Sequence, residues 1–303
     1  MNVLSLFDGI SCGRVALERA GIKVDNYFAS EIDKNAIKIA KDNYPETIKL
    51  GTVIGVTASA LPVIDLLIGG SPCQGFSMSG MQLNFSDPRS ALFFEYVRLL
   101  NEIRAINPNV KFLLENVRMK KEYEDVITSI LGVEPHRINS ALVSAQTRNR
   151  LYWTNIPVGP CPDKKIFARD IINGWTDGTI TDEEIHLQLT SLLETSRYRD
   201  TFKWNRDTQG RILVNRPDGL KIQRIGRIAE GRHKTEIITC LTQPFVFDGR
   251  TIRKVDCVEA ERLQTLPDGY TVGVRPSQRY RAIGNGWTVD VVAHIFSGLQ
   301  KNS

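Results

Sequence analysis

The chain has 303 residues, of which 42% are hydrophobic and 24% charged, and this composition excludes a disordered chain and favours a globular protein with one large domain, or one large and one small. No apolar run approaches the ~18 residues of a membrane span, and the apolar start meets Asp8 without a basic leader, so we expect a cytoplasmic protein with no membrane contact. The five cysteines form no C-x-x-C pair and the four histidines lie far apart, which argues against a disulfide framework and against a metal site.

In the first half, short β-rich runs alternate with helical patterns, as in a parallel sheet with crossover helices. The predicted strands are residues 2–7, 26–32, 63–70 and 110–117, and the predicted helices are 13–21, 34–44, 87–107 and 122–132. The runs HRINSALVS and RLYWTNI add two further strands. The sequence therefore predicts an α/β fold with a doubly wound mixed sheet over residues 1–156.

After Ile156 the sequence becomes rich in Pro, Gly, Asp and Arg. It contains short β-like segments, and no long helix is predicted from about 197 to 250. This change predicts a second, smaller β-rich domain over residues 157–250. Helical patterns resume at 257–266 and at 288–299, so residues 251–303 are predicted to return to the first domain.

Positive charge is concentrated in one block of the second domain. The chain has a net charge of +5, yet residues 197–234 hold 11 of its 39 Lys and Arg residues and only four of its 34 Asp and Glu residues. A solvated surface is one explanation. The interleaved Tyr198, Phe202 and Trp204 favour the other, a surface that binds a polyanion.

The turn after the first strand, FDGISCG, has the features of a ligand-binding loop. Gly9 and Gly13 flank a tight turn into a helix, where backbone can approach a ligand and the helix N-terminus offers free N–H groups. Glu31 ends the second strand, where folds of this kind place the carboxylate that binds ribose hydroxyls. The absence of a P-loop lysine disfavours a nucleoside triphosphate.

A single cysteine follows the third predicted strand in GGSPCQGFS. The loop after a central strand is where α/β enzymes place reacting groups, and Pro72 would fix the backbone that aims Cys73. A lone cysteine is more often an inert buried residue. The long Gly-, Ser- and Met-rich run at 74–90, however, predicts a lid that closes over a substrate.

Two further polar clusters follow strands at the same edge. Glu115 in LLENV comes directly after apolar residues, where a carboxylate is costly unless it is paired or used. In QTRNR, Gln146, Arg148 and Arg150 alternate, so an extended chain would direct all three the same way. A nucleophile, a carboxylic acid and a guanidinium in one pocket fit addition to an electron-poor ring.

These motifs together resemble those of the DNA cytosine carbon-5 methyltransferases, over nearly the whole chain and in the order FDGISCG, Glu31, GGSPCQGFS, ENV, QTRNR, EAERLQTLP and RAIGNGW. The amino-acid sequences of these motifs are most similar to those in the catalytic module of the de novo DNA methyltransferases. The length of the chain suits a stand-alone bacterial or phage enzyme. The resemblance implies a Rossmann-like methyltransferase fold, the cofactor S-adenosylmethionine, duplex DNA as substrate and association with the nucleoid.

The resemblance also implies a role for each motif residue. Cys73, Glu115, Arg148 and Arg150 would be catalytic, with Cys73 attacking carbon 6 of a flipped-out cytosine. The cofactor would be bound by residues from several motifs: Phe7, Asp8, Gly9, Gly13, Glu31, Ile32, Pro72, Asn285 and Gly286. Residues 157–250 would recognise a short DNA sequence.

Three alternative functions are compatible with some of these motifs. A related subgroup methylates cytosine in transfer RNA. Its members resemble QPFT after the catalytic cysteine, whereas Cys73 is followed by QGFS. A catalytically silent DNA-binding relative would not need Cys73 and Glu115, and a small-molecule methyltransferase would not need a basic second domain. The recognition sequence, a paired restriction enzyme, and the oligomeric state, a monomer included, stay open.

Overall fold

A computed structural model of the chain describes residues 1–71, 91–192, 203–206, 212–215, 226–228, 234–235 and 244–302. The chain divides into two compact units. Unit 1 comprises Met1–Asn139, Asn149–Cys161 and Gly286–Ser303, and unit 2 comprises Ser140–Arg148 and Pro162–Asn285.

The strands and helices alternate through unit 1 and give way to shorter strands in unit 2. In chain order they are β1 (Asn2–Leu6), α1 (Cys12–Arg19), β2 (Asn26–Ser30), α2 (Lys34–Asn43), β3 (Ile48–Gly51), β4 (Leu66–Gly69), α3 (Ala91–Ile106), β5 (Lys111–Val117), α4 (Lys121–Leu131), β6 (Pro135–Asn139), β7 (Asn149–Thr154), α5 (Asp182–Leu192), β8 (Lys203–Arg206), β9 (Ile212–Asn215), β10 (Gly226–Ile228), β11 (Phe245–Phe247), β12 (Ile252–Lys254), α6 (Cys257–Leu263), α7 (Pro276–Asn285) and α8 (Val289–Phe296).

Unit 1 is built on a seven-stranded mixed sheet with the order β3-β2-β1-β4-β5-β7-β6. All neighbouring pairs are parallel except those of β7, which runs antiparallel to β5 and β6. The chain order reverses between β1 and β4, and a crevice for ligands opens at such a point beyond the carboxyl ends of the strands. The loops after β1 and β4 both begin there.

The central strands form because their sequences are almost wholly apolar. All four residues of β4 and the last four of β1 are buried, as expected for strands covered on both faces. Helix α3 covers one face with buried residues at helical spacing: Phe93, Tyr96, Leu99, Leu100 and Ile103. These side chains belong to the main core of unit 1.

The ends of the helices in unit 1 follow from local chemistry. The Asp33 carboxylate caps α2 by accepting from the N–H groups of Asn35 and Ala36 at 2.8 and 3.1 Å. Gly132, with a φ of 74°, ends α4 in the left-handed conformation. Helix α8 packs on α1, where Arg19 pairs with Asp290.

Unit 2 holds two small antiparallel sheets, β10-β9-β8 and β11-β12, and the helices α5, α6 and α7. Helix α6 begins with a capping box in which the Asp256 carboxylate accepts from Glu259 N–H and the Glu259 carboxylate accepts from Asp256 N–H. A buried apolar cluster that includes Ile171, Val246 and Leu263 forms the core of this unit.

The predicted doubly wound mixed sheet is confirmed. The structure adds the edge strand β3 and the helices α5 and α7, which the sequence analysis did not predict. The predicted helix 87–107 is present as α3 from Ala91, and its predicted start lies outside the described residues, as does the predicted lid at 74–90.

In the part of the chain that the structure describes, no helix has both the length and the apolar character needed to cross a bilayer. Among the same residues, no group of three or more His, Cys, Asp or Glu side chains is arranged to hold a metal ion.

Candidate active site

The loop between β1 and α1 has an unusual backbone. Phe7, Gly9 and Ser11 all adopt positive φ values, 56°, 59° and 59°. A Cβ added to Gly9 would meet no atom within 4 Å, so glycine is needed there for its backbone conformation and not for space. Gly13 is different, because a Cβ there would overlap the Ile68 side chain of β4. Strained residues cost about 1–3 kcal/mol each and cluster at ligand sites, which makes this loop a candidate binding element.

Asp8 holds the shape of that loop. Its carboxylate accepts hydrogen bonds from the hydroxyls of Ser5 (2.6 Å), Tyr27 (2.8 Å) and Ser11. Burial raises the pKa of Asp8 above its ordinary value of 3.8. The hydrogen bonds from the three hydroxyls lower this pKa, but the effect of burial is larger. The Asp8 side chain is thus directed at the loop itself.

Glu31 connects β2 to the same loop. One carboxylate oxygen accepts from the N–H of Gly9 at 2.7 Å, and the other accepts from the N–H groups of Ile32 and Asp33 at 2.7 and 2.8 Å. A carboxylate has about four lone-pair sites, so one more donor, such as a ligand hydroxyl, can be accommodated. The neighbouring Ile32 side chain is 75% exposed, which leaves an apolar surface beside the carboxylate.

A second carboxylate, Glu115, is fixed at the end of β5. The Arg150 Nε atom lies 3.0 Å from Glu115 Oε1, and both side chains are only 12% exposed. The pair forms because Val117 lies opposite Arg150 in the antiparallel register of β5 and β7, which places Glu115 two residues away on the same face. The indole Nε1 of Trp287 donates to Glu115 Oε2 at 3.1 Å.

The segment after β4 borders this carboxylate. A Cβ built on Gly70 would lie 3.0 Å from both Glu115 Oε2 and Trp287 Nε1, so the glycine leaves room for that hydrogen bond. The next residue, Ser71, is buried and its hydroxyl lies 3.3 Å from Asn116 Nδ2. Pro72 and Cys73 come next in the chain and lie outside the described residues.

Unit 2 contains other predicted site residues. Arg148 is buried and donates from Nη2 to the Gly284 carbonyl of α7 at 3.3 Å. Gln146 is also buried and donates to the Leu263 carbonyl and the Gln264 side chain. Asn285 is the exposed last residue of α7, and Gly286 is the first residue of the final segment of unit 1.

A basic groove opens next to Arg150 in unit 1. It is a cavity of about 550 Å³ lined by Arg118, Met119, Lys121, Glu124, Arg137, Asn149, Arg150 and Leu151. Its one carboxylate, Glu124, is 2% exposed and pairs with both Lys121 and Arg137. Arg150 also pairs with Glu115, and Lys121 with Asp125, so four cations face three carboxylates and the groove keeps one net positive charge.

The sequence profile of the C-5 cytosine-specific DNA methylases matches residues 1–132 and 139–301. The chain belongs to this family. The predicted activity, methylation of DNA cytosine at carbon 5, is therefore confirmed, as is its status as an enzyme. The transfer RNA alternative is not favoured.

Curated relatives of this methylase include type II methyltransferases from bacteria. It is 28% identical to M1.ScrFI of Lactococcus lactis subsp. cremoris over 97% of this chain and 76% of the relative. It is 27% identical to M.NlaX of Neisseria lactamica over 97% of this chain and 94% of the relative.

Solved structures agree with the methylase fold. The Entamoeba histolytica methyltransferase EhMeth superimposes with a TM-score of 0.70 at 16% identity and covers 100% of this chain and 98% of its own. The Dnmt2 methyltransferase of S. pombe gives a TM-score of 0.66 at 18% identity, covering 100% and 99%. At these identities the likeness shows the fold alone.

The sequence did not predict two features of the candidate site. Trp287 is the last residue of the RAIGNGW motif, but nothing in the sequence links it to Glu115, 172 positions earlier. The basic groove was also missed, because its cations come from the residue after β5 and from α4, β6 and β7 and form no run in the sequence.

Proposed function

We propose that the protein transfers the methyl group of S-adenosylmethionine to carbon 5 of a cytosine flipped out of duplex DNA, through a covalent bond between Cys73 and carbon 6. The observation that carries the proposal is the Glu115 carboxylate, held at the end of β5 by Arg150 and Trp287 and bordering Gly70, which precedes Cys73 by three residues. An acid fixed beside the nucleophile's loop is what addition to cytosine requires.

The loop after β1 and the end of β2 fit the nucleoside part of S-adenosylmethionine. Glu31 has a lone pair left for a ribose hydroxyl, and the exposed Ile32 can cover an adenine ring. Phe7, Asp8, Gly9 and Gly13 give the loop its backbone shape. From the motifs, we assign three further residues to this cofactor: Pro72, Asn285 and Gly286.

The chain's own residues carry out the reaction at the cytosine ring. The Cys73 thiolate adds to carbon 6, the C5–C6 double bond opens, and Glu115 delivers a proton to ring nitrogen 3, so that carbon 5 becomes nucleophilic. S-adenosylmethionine, when bound, supplies a methyl group on a sulfonium that leaves as a thioether. Loss of the carbon-5 proton to a base, of the thiolate from carbon 6 and of the nitrogen-3 proton back to Glu115 then restores the aromatic ring and the acid. Arg148 orients the base, and Arg150 holds Glu115.

Duplex DNA is supported as the substrate by the basic groove beside Arg150. Arg118, Lys121 and Arg137 place positive charge next to the candidate target site, where phosphates on either side of a flipped base would pass. Flipping costs a few kcal/mol, which contacts of this kind offset. We assign sequence recognition to residues 157–250 and the catalytic and cofactor-binding parts to residues 1–156 and 251–303.

Expression in a bacterial host without cytosine methylation tests this function. Base-resolution mapping of 5-methylcytosine is expected to show one short methylated motif with the wild-type chain and none with Cys73→Ser or Glu115→Gln. Methylation that persists in Cys73→Ser would contradict the covalent mechanism. Unmethylated DNA together with methylated transfer RNA would contradict the substrate.

A further inference from the structure

Trp287 donates a hydrogen bond to the proposed acid Glu115 but takes no part in the bond changes of the proposed reaction. The two carboxylate oxygens have separate donors: Arg150 Nε lies 3.0 Å from Oε1, and Trp287 Nε1 lies 3.1 Å from Oε2. Both donors are N–H groups of fixed direction, one on β7 and one just before α8. Two such donors on different oxygens fix the plane of the carboxylate.

We propose that Trp287 is a positioning residue, which orients the Glu115 carboxylate for proton transfer to the cytosine ring. The inference rests on the proposed function, since it concerns the same acid. Glu115 is 12% exposed, so an oxygen that lost its donor would have little water to replace it. The carboxylate would then turn toward another partner, and proton transfer depends steeply on such geometry.

The surroundings of the indole support a specific hydrogen bond over incidental packing. A Cβ on Gly70 would come within 3.0 Å of both bonded atoms, Trp287 Nε1 and Glu115 Oε2, so the strand end is shaped around this pair. On the opposite side of the indole, Cζ3 would lie 3.4 Å from a Cβ on Gly13, the first-turn residue of α1. The indole therefore links the candidate cofactor loop to the candidate acid.

Trp287→Phe tests the hydrogen bond, because it keeps an aromatic ring against Gly13 and removes the donor. The wild-type chain is first shown to methylate DNA, so that failure of the function itself is recognised separately. We expect kcat to fall about 10- to 100-fold, the range for a lost hydrogen bond to a charged group. The KM for S-adenosylmethionine should change less than about 3-fold, because the donor acts on the acid.

A second readout isolates the ring chemistry from methyl transfer. Without S-adenosylmethionine, addition of Cys73 and protonation of the ring allow carbon 5 to exchange its hydrogen with water, so tritium at carbon 5 is released. This release should fall in parallel with kcat in Trp287→Phe. In the Glu115→Gln background, Trp287→Phe should cause no further loss, because the two residues act as one unit.

Two controls separate positioning from folding. Trp153 is a buried tryptophan of β7 whose Nε1 donates to Thr128 at 3.0 Å. It lies opposite Leu114 in the register of β5 and β7, so Trp153→Phe loses the same kind of bond on the face of the sheet opposite to Glu115. It should lower the melting temperature and leave kcat unchanged. At Trp287 itself, the tryptophan analogue with sulfur in place of N–H keeps the ring shape, and it should reproduce the loss of kcat.

Two results would overturn the proposal. One is an analogue-substituted enzyme with wild-type kcat and tritium release, because the donor would then be dispensable. The other is a raised KM for S-adenosylmethionine with unchanged kcat in Trp287→Phe, because Trp287 would then serve the cofactor and not the acid.

Discussion

Asp8 shows how one side chain can set the geometry of the candidate cofactor loop through contacts within that part of the chain. Three hydroxyls donate to its carboxylate, and the loop that it supports contains two non-glycine residues with positive φ. Asp8→Ala removes the common acceptor and leaves these hydroxyls without it. A buried polar group that loses its partner costs about 1–3 kcal/mol. We therefore expect Asp8→Ala to distort the loop and to raise the KM for S-adenosylmethionine by about 10-fold or more.

The titration of Asp8 gives a separate prediction for stability. Burial raises the pKa of Asp8 in the folded chain above 3.8, so the folded state binds more protons than the unfolded state in the window that starts at 3.8 and ends at the raised value. Its contribution to stability is full below that window and is lost as the pH rises through it. The free energy of unfolding of the wild type relative to Asp8→Asn should therefore decline with rising pH. Urea denaturation at several pH values measures this difference, and a difference that grows with pH would contradict the assignment.

At the level of elements, one buried carboxylate ties α6 to α7 and to the loop between them. Glu261 has no exposed surface, accepts from the N–H groups of Gly269 and Thr271, and pairs with Arg279 at 2.8 Å. Glu261→Gln removes the carboxylate that pairs with the largely buried Arg279. We expect a loss of about 3–5 kcal/mol in the free energy of unfolding, measured by urea denaturation.

An exposed glutamate provides the control for this change. Glu183 lies in the exposed first turn of α5, so Glu183→Gln should change stability by less than about 0.5 kcal/mol. Equal losses in the two variants would show that Glu261 does not organise the α6–α7 segment.

Elements with a strong local signal could be predicted from the sequence. The apolar strands β1, β4 and β5 were predicted because most of their residues are buried, and the helix α3 was predicted because its buried residues recur at helical spacing. Strand β3 was missed because it is a four-residue edge strand without a buried residue. Helices α5 and α7 bury only two residues each, so their apolar periodicity is weak.

The same distinction holds for the candidate site. Glu115 was predicted because a carboxylate directly after a run of apolar residues is costly unless it is paired or used. Its contact with Trp287 depends on where α8 packs, and its clearance at Gly70 depends on the spacing of β4 and β5. Tertiary packing decides both, so neither could be predicted from spacing in the chain.

For the whole molecule, the distribution of charge predicts how DNA binding responds to salt. If all seven net charges of residues 197–234 met phosphates, the logarithm of the affinity would fall with the logarithm of salt at a slope of about −6, from ~0.9 per phosphate. Arg118 in the basic groove would add one contact. Arg118→Ala should weaken DNA binding and make the slope shallower by about 0.9, as measured by fluorescence anisotropy at several salt concentrations. An unchanged slope would show that Arg118 does not contact a DNA phosphate.

The proposed covalent bond between Cys73 and the target cytosine is tested most directly by a trapping experiment. A DNA duplex carries 5-fluorocytosine at the target position of the methylated motif and is incubated with S-adenosylmethionine. Fluorine cannot leave carbon 5 as a proton would, so the bond to carbon 6 should persist as a complex that survives denaturation. Peptide mapping should find the base on Cys73, and Cys73→Ser should give no complex. Methyl transfer with no trapped complex, or a base attached to another residue, would contradict the account.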